Sequence, residues 1–280
     1  MNGARAVLAT MHGKERALAP LAAGFLGLDP RVAEGLDTDV FGTFSRDVAR
    51  AGAPRDAARA KIAAAFRLMP EARVGLASEG SFGPHPGLPF AALNRELVLL
   101  IDRETGRELI GHHATMATNF AHDVVADVEA GLAFAAKAGF PGHGVIVMGV
   151  LDGQPAPQLA LFKAIASEAE LAAVLSRTIA LTGAAHIETD MRAHRNPRRM
   201  RAIRRAMIDL VRRSRSHCPG CARPGFAMTG RVPGLPCAWC SGPTHLTRAE
   251  VWACERCDHT EERPVAALTA NPMHCAECNP

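Results

Sequence analysis

The chain has 280 residues, a net charge of +4 and 48% apolar residues, which suits one large domain with a sizeable core plus a small one. The modest charge gives no global case for nucleic acid. No apolar run reaches the ~18 residues a membrane span needs, and the opening MNGARAVLATMHGKE lacks the apolar stretch of a signal peptide, so a cytoplasmic protein with no membrane partner is expected.

RAVLAT reads as a short buried strand, followed by a helix over KERALAPLAAGFLG that ends at a glycine. RVAEGL is a weak second strand, and APRDAARAKIAAAFRLM an alanine-rich helix stopped by Pro70. ARVGLAS is a third strand, expected to end at Glu79 before a glycine-rich turn, EGSFGPHPG. ELVLLIDRETGRELIGHHAT predicts a hairpin around DRETGR. FAHDVVADVEAGLAFAAKAGF reads as one helix and HGVIVMGVL as a strand. SEAELAAVLSRTIALTG is a helix with Ser167 as N-cap and Glu170 at the capping-box position. AHIETD is a last strand, and PRRMRAIRRAMIDLVRR a last helix with Pro197 in its first turn. Strands alternating with helices predict an α/β fold, a mixed-sheet three-layer domain over residues 1–216.

Residues 217–280 differ. All eight cysteines fall here in four C-x-x-C pairs: Cys218/Cys221, Cys237/Cys240, Cys254/Cys257 and Cys275/Cys278. A C-x-x-C knuckle aims two thiolates at one ion, and two knuckles close a tetrahedral site. Eight thiolates therefore predict a small double zinc-ribbon domain with two structural Zn²⁺. A tail of about 60 residues has little core of its own, so the metal must supply folding energy. Pairing of the first knuckle with the second and the third with the fourth is expected, since it gives loops of ribbon length; an interleaved arrangement stays open. His186-Ile187-Glu188 with PCAWC imitates the H-x-E…P-C-x-x-C signature of zinc deaminases. HIETD, however, reads as a strand end, and Cys237/Cys240 already have neighbouring pairs with which to share a metal.

In the α/β part, Lys14 follows the first strand at the mouth of a helix, a position that suits an anion. Asp37, Asp39, Arg59 and Lys61 lie in the second loop and helix, and Glu79 at the third strand's expected end. The segment ETDMRAHRNP sits between a strand end and a helix start, where Asp190, Arg192, His194 and Arg195 can share a cleft. Each has a plainer reading: Lys14 as a helix-surface lysine, Asp37 and Asp39 as brackets of a turn, Glu79 as a cap for the glycine turn. His85, His112, His113 and His122 read as surface or structural. Between His186 and His217 stand ten arginines. Met200, Ile203, Met207, Leu210 and Val211 fall at helical spacing, so that helix packs through one stripe and turns Arg204, Arg205, Arg212 and Arg213 to water.

ATMHGK, FGTFS, ARAKIA and VGLASEGSFG, in that order, resemble the motifs of the inosine-triphosphate and Maf-type nucleotide pyrophosphatases over roughly the first 110 residues, with His12 where that family has asparagine. The resemblance implies a Mg²⁺-dependent cut between the α- and β-phosphates of a nucleoside triphosphate. Glu79 would bind magnesium, and Asp190 or Asp39 would ligate it or orient water. Lys14 and Lys61 would neutralise the polyphosphate, with Arg59, Arg192, His194 and Arg195 as further phosphate contacts. The whole chain also resembles an uncharacterised family of unknown function bearing ETDMRAH-x-NP-x-RM and terminal cysteine pairs, which implies no activity.

The first expectation is thus a phosphate-handling hydrolase of the nucleotide pyrophosphatase type, acting on a nucleotide or other phosphorylated small molecule through Lys14, Glu79 and Asp190. The rival is a zinc-ribbon protein that binds nucleic acid or protein without catalysis. Only Trp239 and Trp252, and no tyrosine, are present for base stacking.

Overall fold

The computed structural model describes residues 3–38, 40 and 52–280. It divides into two compact units, Met1–Val211 and Arg212–Pro280. Among the described residues no helix is long and apolar enough to cross a membrane.

The first unit opens with β1 (Arg5–Leu8), α1 (Glu15–Leu26), β2 (Asp29–Val32), α2 (Pro54–Leu68), β3 (Val74–His85), β4 (Leu88–Asp102) and β5 (Arg107–Thr115). These strands form a mixed sheet of order β2-β1-β3-β4-β5. β1 runs parallel to β2 and β3, and β3, β4 and β5 are successive antiparallel neighbours. Both faces are covered. Ala6, Leu8, Leu76, Val98 and Leu100 pack against Leu18 and Leu21 of α1 and against Ile203, Met207 and Leu210 of α5 (Pro197–Arg215). Val7, Ala77, Leu99 and Ile110 pack on Ala58 and Ile62 of α2. The three layers follow from the sequence: β1 buries Ala6, Val7 and Leu8 on both its faces, and α5 buries its apolar stripe together with Arg199.

A second sheet has order β6-β9-β7-β8 and is antiparallel throughout, built from β6 (His122–Val125), β7 (Val145–Leu151), β8 (Gln154–Phe162) and β9 (Ala185–Thr189). α3 (Val128–Ala138) and α4 (Glu168–Thr182) cover it through Ala135, Leu171, Val174 and Leu175. The Ser167 hydroxyl accepts from the Glu170 amide at 3.2 Å, and the Glu170 carboxylate accepts from the Ala166 amide at 2.8 Å.

Three sequence expectations change. β3 runs on through the glycine-rich stretch to His85, so Glu79 stands mid-strand opposite Leu97 rather than at a strand end. The helix expected from Phe120 begins only at Val128. Asp127 is extended and its carboxylate accepts the Ala130 amide at 2.8 Å, while the β-branched Val124 and Val125 pair with β9. β8 was not among the expected elements; as the edge strand it tolerates Pro155 and Pro157.

The second unit is a three-stranded antiparallel sheet, β10 (Ala227–Pro233), β11 (Thr247–Ala253) and β12 (Thr260–Pro264), in that order.

Candidate functional site

β1 leads into α1 on one face of the mixed sheet, and β3 is reached through α2 on the other. The strand order therefore reverses between β1 and β3, the place where open α/β sheets usually bind ligands. Charged side chains meet there out of water. His12 (φ 63°) and Gly13 (φ 71°) turn the chain through two left-handed residues after β1, which drives Lys14 inward to 7% exposure. Its ammonium donates to the Ser78 carbonyl at 3.1 Å. From the α2 side, Lys61 forms an ion pair with Glu79, and both are buried. From the α5 side, Arg199 Nε donates to Glu96 Oε1 at 2.9 Å. Arg199 also donates to the Met191 carbonyl and lies 5.4 Å from the centre of the Phe82 ring.

Lys14, Lys61, Glu79, Glu96 and Arg199 form one electrostatic cluster, for the other four all act on the Lys14 charge. Burial, then the Arg199 cation, lower the Lys14 pKa to about 7, partly opposed by Glu79. Burial pushes the Glu96 carboxyl up against the pull of Arg199. A Cβ on Gly80 would fall 2.6 Å from both Glu96 carboxylate oxygens and 2.8 Å from Arg199 Nη2, so only glycine lets the pair lie across β3. Beside it, Ser78 Oγ, Asn94 Oδ1 and Glu96 Oε2 are buried without a hydrogen-bond partner among the described residues. Among the described residues, three cations stand against two carboxylates with acceptors to spare, which suits a ligand that carries negative charge and also donates hydrogen bonds.

The ETDMRAH segment supports this cluster from behind. The Asp190 carboxylate is fully buried and accepts from the Arg192 amide at 2.9 Å and from Arg192 Nη2 at 2.6 Å. Arg195 donates to the Ile165 carbonyl at 2.6 Å. His194 stacks on His12 at 5.0 Å, against the loop that delivers Lys14. Asn196 accepts from the Arg199 amide at 3.0 Å and donates to Asn119 at 2.9 Å, which fixes the start of α5. Arg59 is turned away to Glu108 of β5, at 2.8 Å. The structure thus gathers Lys14, Lys61 and Glu79. Asp190 and Arg192 are occupied with each other and Arg195 with Ile165, and Asp37 is exposed. Asp39 and FGTFS lie outside the described residues.

In the second unit the cysteines form two tetrads, Cys218/Cys221/Cys254/Cys257 and Cys237/Cys240/Cys275/Cys278, each with its sulfurs within 4.8 Å of one another. Sulfur–sulfur distances between knuckles are 3.7 Å for Cys218–Cys257 and for Cys221–Cys254, 3.9 Å for Cys237–Cys278 and 3.6 Å for Cys240–Cys275. A tetrahedron with Zn–S bonds of about 2.3 Å has edges of about 3.8 Å, whereas a disulfide needs about 2.05 Å. The sulfurs therefore fit zinc, and each tetrad could hold one ion. Backbone amides of Trp239, Gly242 and Arg256 donate to Cys237, Cys240 and Cys254 at 3.4 Å each, as thiolates require. The pairing is interleaved, which corrects the expectation of sequential pairing. Antiparallel β10 and β11 place Ala227 opposite Ala253 and Pro233 opposite Thr247. The first and third knuckles thus fall at one end of the sheet, the second and fourth at the other. With Cys237 and Cys240 committed to their own tetrad, the resemblance to a zinc deaminase signature lapses.

A family model described as a domain of unknown function (DUF6671) matches residues 65–280. The chain belongs to the DUF6671 family. No curated protein matches it. The DUF6671 region takes in Glu79, Glu96, Arg199 and both cysteine tetrads; Lys14, Arg59 and Lys61 precede it.

Sequence reasoning missed Glu96 and Arg199, though both carry a signal. Glu96 alternates with Val98 and Leu100 on the face of β4 that turns inward. Arg199 stands at the head of the apolar stripe Ile203, Ala206, Met207, Leu210, four residues before its first member, and is 1% exposed. A charged residue in register with a buried stripe is the pattern to look for.

Proposed function

We propose that the first unit binds a phosphorylated small molecule, a nucleoside triphosphate in first place, at the Lys14–Lys61–Glu79–Glu96–Arg199 cluster and hydrolyses a phosphoanhydride bond there. The second unit is a structural double zinc ribbon. The observation that carries the reading is the buried excess of cations at the strand-order reversal. Buried ion pairs contribute little net stability compared with apolar packing, and perturbed ionisable groups in such a place favour a site.

Lys14, Lys61 and Arg199 would hold phosphate oxygens and stabilise charge that builds up on them. A phosphate arriving at Lys61 competes with Glu79 and turns that carboxylate toward a water. Water oxygen then bonds to phosphorus, the bridging P–O bond breaks, the water proton passes to the carboxylate and the leaving phosphate departs with the bond's electrons. Glu79 faces Lys61 and Asp190 faces Arg192, so neither carboxylate is a ready magnesium ligand. Magnesium would come with the polyphosphate.

The test is a screen of canonical and damaged nucleoside triphosphates and other phosphorylated metabolites for release of phosphate or pyrophosphate. Turnover that falls at least about 100-fold in Glu79→Gln, with binding kept, supports the reading. A folded, zinc-loaded protein that binds none of these compounds overturns it.

A further inference from the structure

The buried face of α5 ends in Arg199; its exposed face carries a different set of arginines. Arg198, Arg201, Arg204 and Arg205 are all exposed, as is Arg16 of α1 beside them. None of these five has a carboxylate partner among the described residues. Elsewhere in the unit exposed arginines are of both kinds: Arg31 pairs with Asp29 and Arg55 with Glu108, while Arg67, Arg95, Arg103 and Arg177 have no carboxylate partner among the described residues but stand far apart in sequence rather than in a row. The one acid on this stretch of α5, Asp209, has its carboxylate on the His112 amide at 2.8 Å.

Two open grooves lie along this face and share Arg201. One, of about 390 Å³, is lined by His113, Thr115 and Ala117 together with Arg198, Arg201, Ala202 and Arg205. The other, of about 350 Å³, runs past His194, Arg16, Arg201 and Arg204. Arg198, Arg201 and Arg205 follow one another at helical spacing. At 1.5 Å per residue they span about 10 Å, the axial length of about three phosphates along one strand of a duplex. Unpaired guanidiniums in a row repel one another, and an extended polyanion relieves that cost at several points at once. The grooves are open rather than enclosed, and no exposed aromatic ring of the indole or phenyl kind lines either one. The surface is built to meet repeated phosphates, not bases.

We propose that the exposed face of α5, with Arg16, is a docking surface for the sugar–phosphate backbone of a nucleic acid, bound without regard to sequence. This surface is separate from the buried cluster and does not depend on the hydrolase reading. Phosphate contacts of this kind position a protein on a nucleic acid and carry no sequence information.

The test is fluorescence anisotropy with labelled mixed-sequence DNA duplex and RNA strand, titrated with full-length, zinc-loaded protein over a range of salt. Binding should weaken with salt at a log–log slope of about −2.7 to −4.5 on the duplex and about −2 to −3.5 on the RNA strand, set by three to five arginines. Arg198→Ala/Arg201→Ala should weaken binding at least about tenfold at low salt and flatten the slope by about two. A control that removes the same charge from elsewhere, Arg31→Ala/Arg67→Ala, should bind like the wild type. Equal losses in both double variants reduce the effect to net charge and overturn the proposal. So does a wild-type protein that binds neither probe at low salt, or one that prefers vesicles of anionic lipid to both.

Discussion

Lys14 is the residue on which the site turns. In the unfolded chain it titrates at its ordinary 10.5, and in the fold at about 7. Between those values the unfolded chain binds the additional proton, so this group makes stability rise with pH from about 7 to 10.5. Its penalty is fully present below 7 and gone above 10.5. Lys14→Met removes the penalty along with the charge. In denaturant titrations the variant's advantage over the wild type should therefore shrink as pH rises from 7 to 10; an advantage that does not change with pH would mean that Lys14 titrates normally. The position of Lys14 after the first strand was legible because a strand–loop–helix pattern needs only local sequence. Its partners were not. Glu96 and Arg199 lie 103 residues apart, and only the β3–β4 register and the docking of α5 bring them together. Glu79 was singled out on a wrong local picture, a glycine turn that is in fact β3 continuing past Gly80.

At the scale of elements, close packing of α5 on the sheet fixes the Arg199 side of the cluster. Gly111 of β5 is what permits it. A Cβ there would fall 2.2 Å from the Ala206 carbonyl oxygen and 2.4 Å from the Leu210 amide nitrogen, both backbone atoms. Overpacking against side chains costs about 1–3 kcal/mol, and backbone cannot swing aside, so Gly111→Ala should cost at least that much. The expected outcome is a melting temperature lower by at least about 2–4 °C, measured by circular dichroism. An unchanged melting temperature would show that α5 does not sit this close. The elements that periodicity or a cap announces were legible: α4 by its capping box, α5 by its stripe, the β4–β5 hairpin by its apolar arms. β8 and the split of β6 from α3 were not, because edge position and strand pairing override local composition there. The single mixed sheet suggested by alternating strands and helices is one of two sheets in the first unit, since sequence order alone does not say where a sheet ends.

At the scale of the whole molecule, the cysteine count was legible as two tetrads that could each hold one zinc, and their pairing was not. The gaps between knuckles, 15, 13 and 17 residues, suit sequential pairing, but β10 and β11 carry the chain from one end of the second unit to the other between knuckles. Interleaving makes a clear prediction for zinc content. Cys218→Ser/Cys254→Ser should lose one equivalent of zinc, because both residues serve one tetrad. Cys218→Ser/Cys237→Ser should lose both. Elemental analysis of the purified variants checks this, and the reverse pattern would restore sequential pairing. Zinc binding is folding free energy for a small ribbon, so a chelator should melt the tetrads' sheet in the wild type.

The most direct test of the claim that the buried cluster is an anion site is the melting temperature of zinc-loaded wild type and Lys14→Met, each with and without pyrophosphate. At about 100 times its dissociation constant a ligand adds about 2.7 kcal/mol, which for a unit of this size is a rise of about 5–10 °C. The wild type should show that rise. Lys14→Met should start at a higher melting temperature without ligand and show little or no rise with it, the exchange of stability for binding that a functional site makes. A variant that starts lower than the wild type and keeps the full rise would contradict the account, and would make Lys14 a structural lysine holding the Ser78 carbonyl.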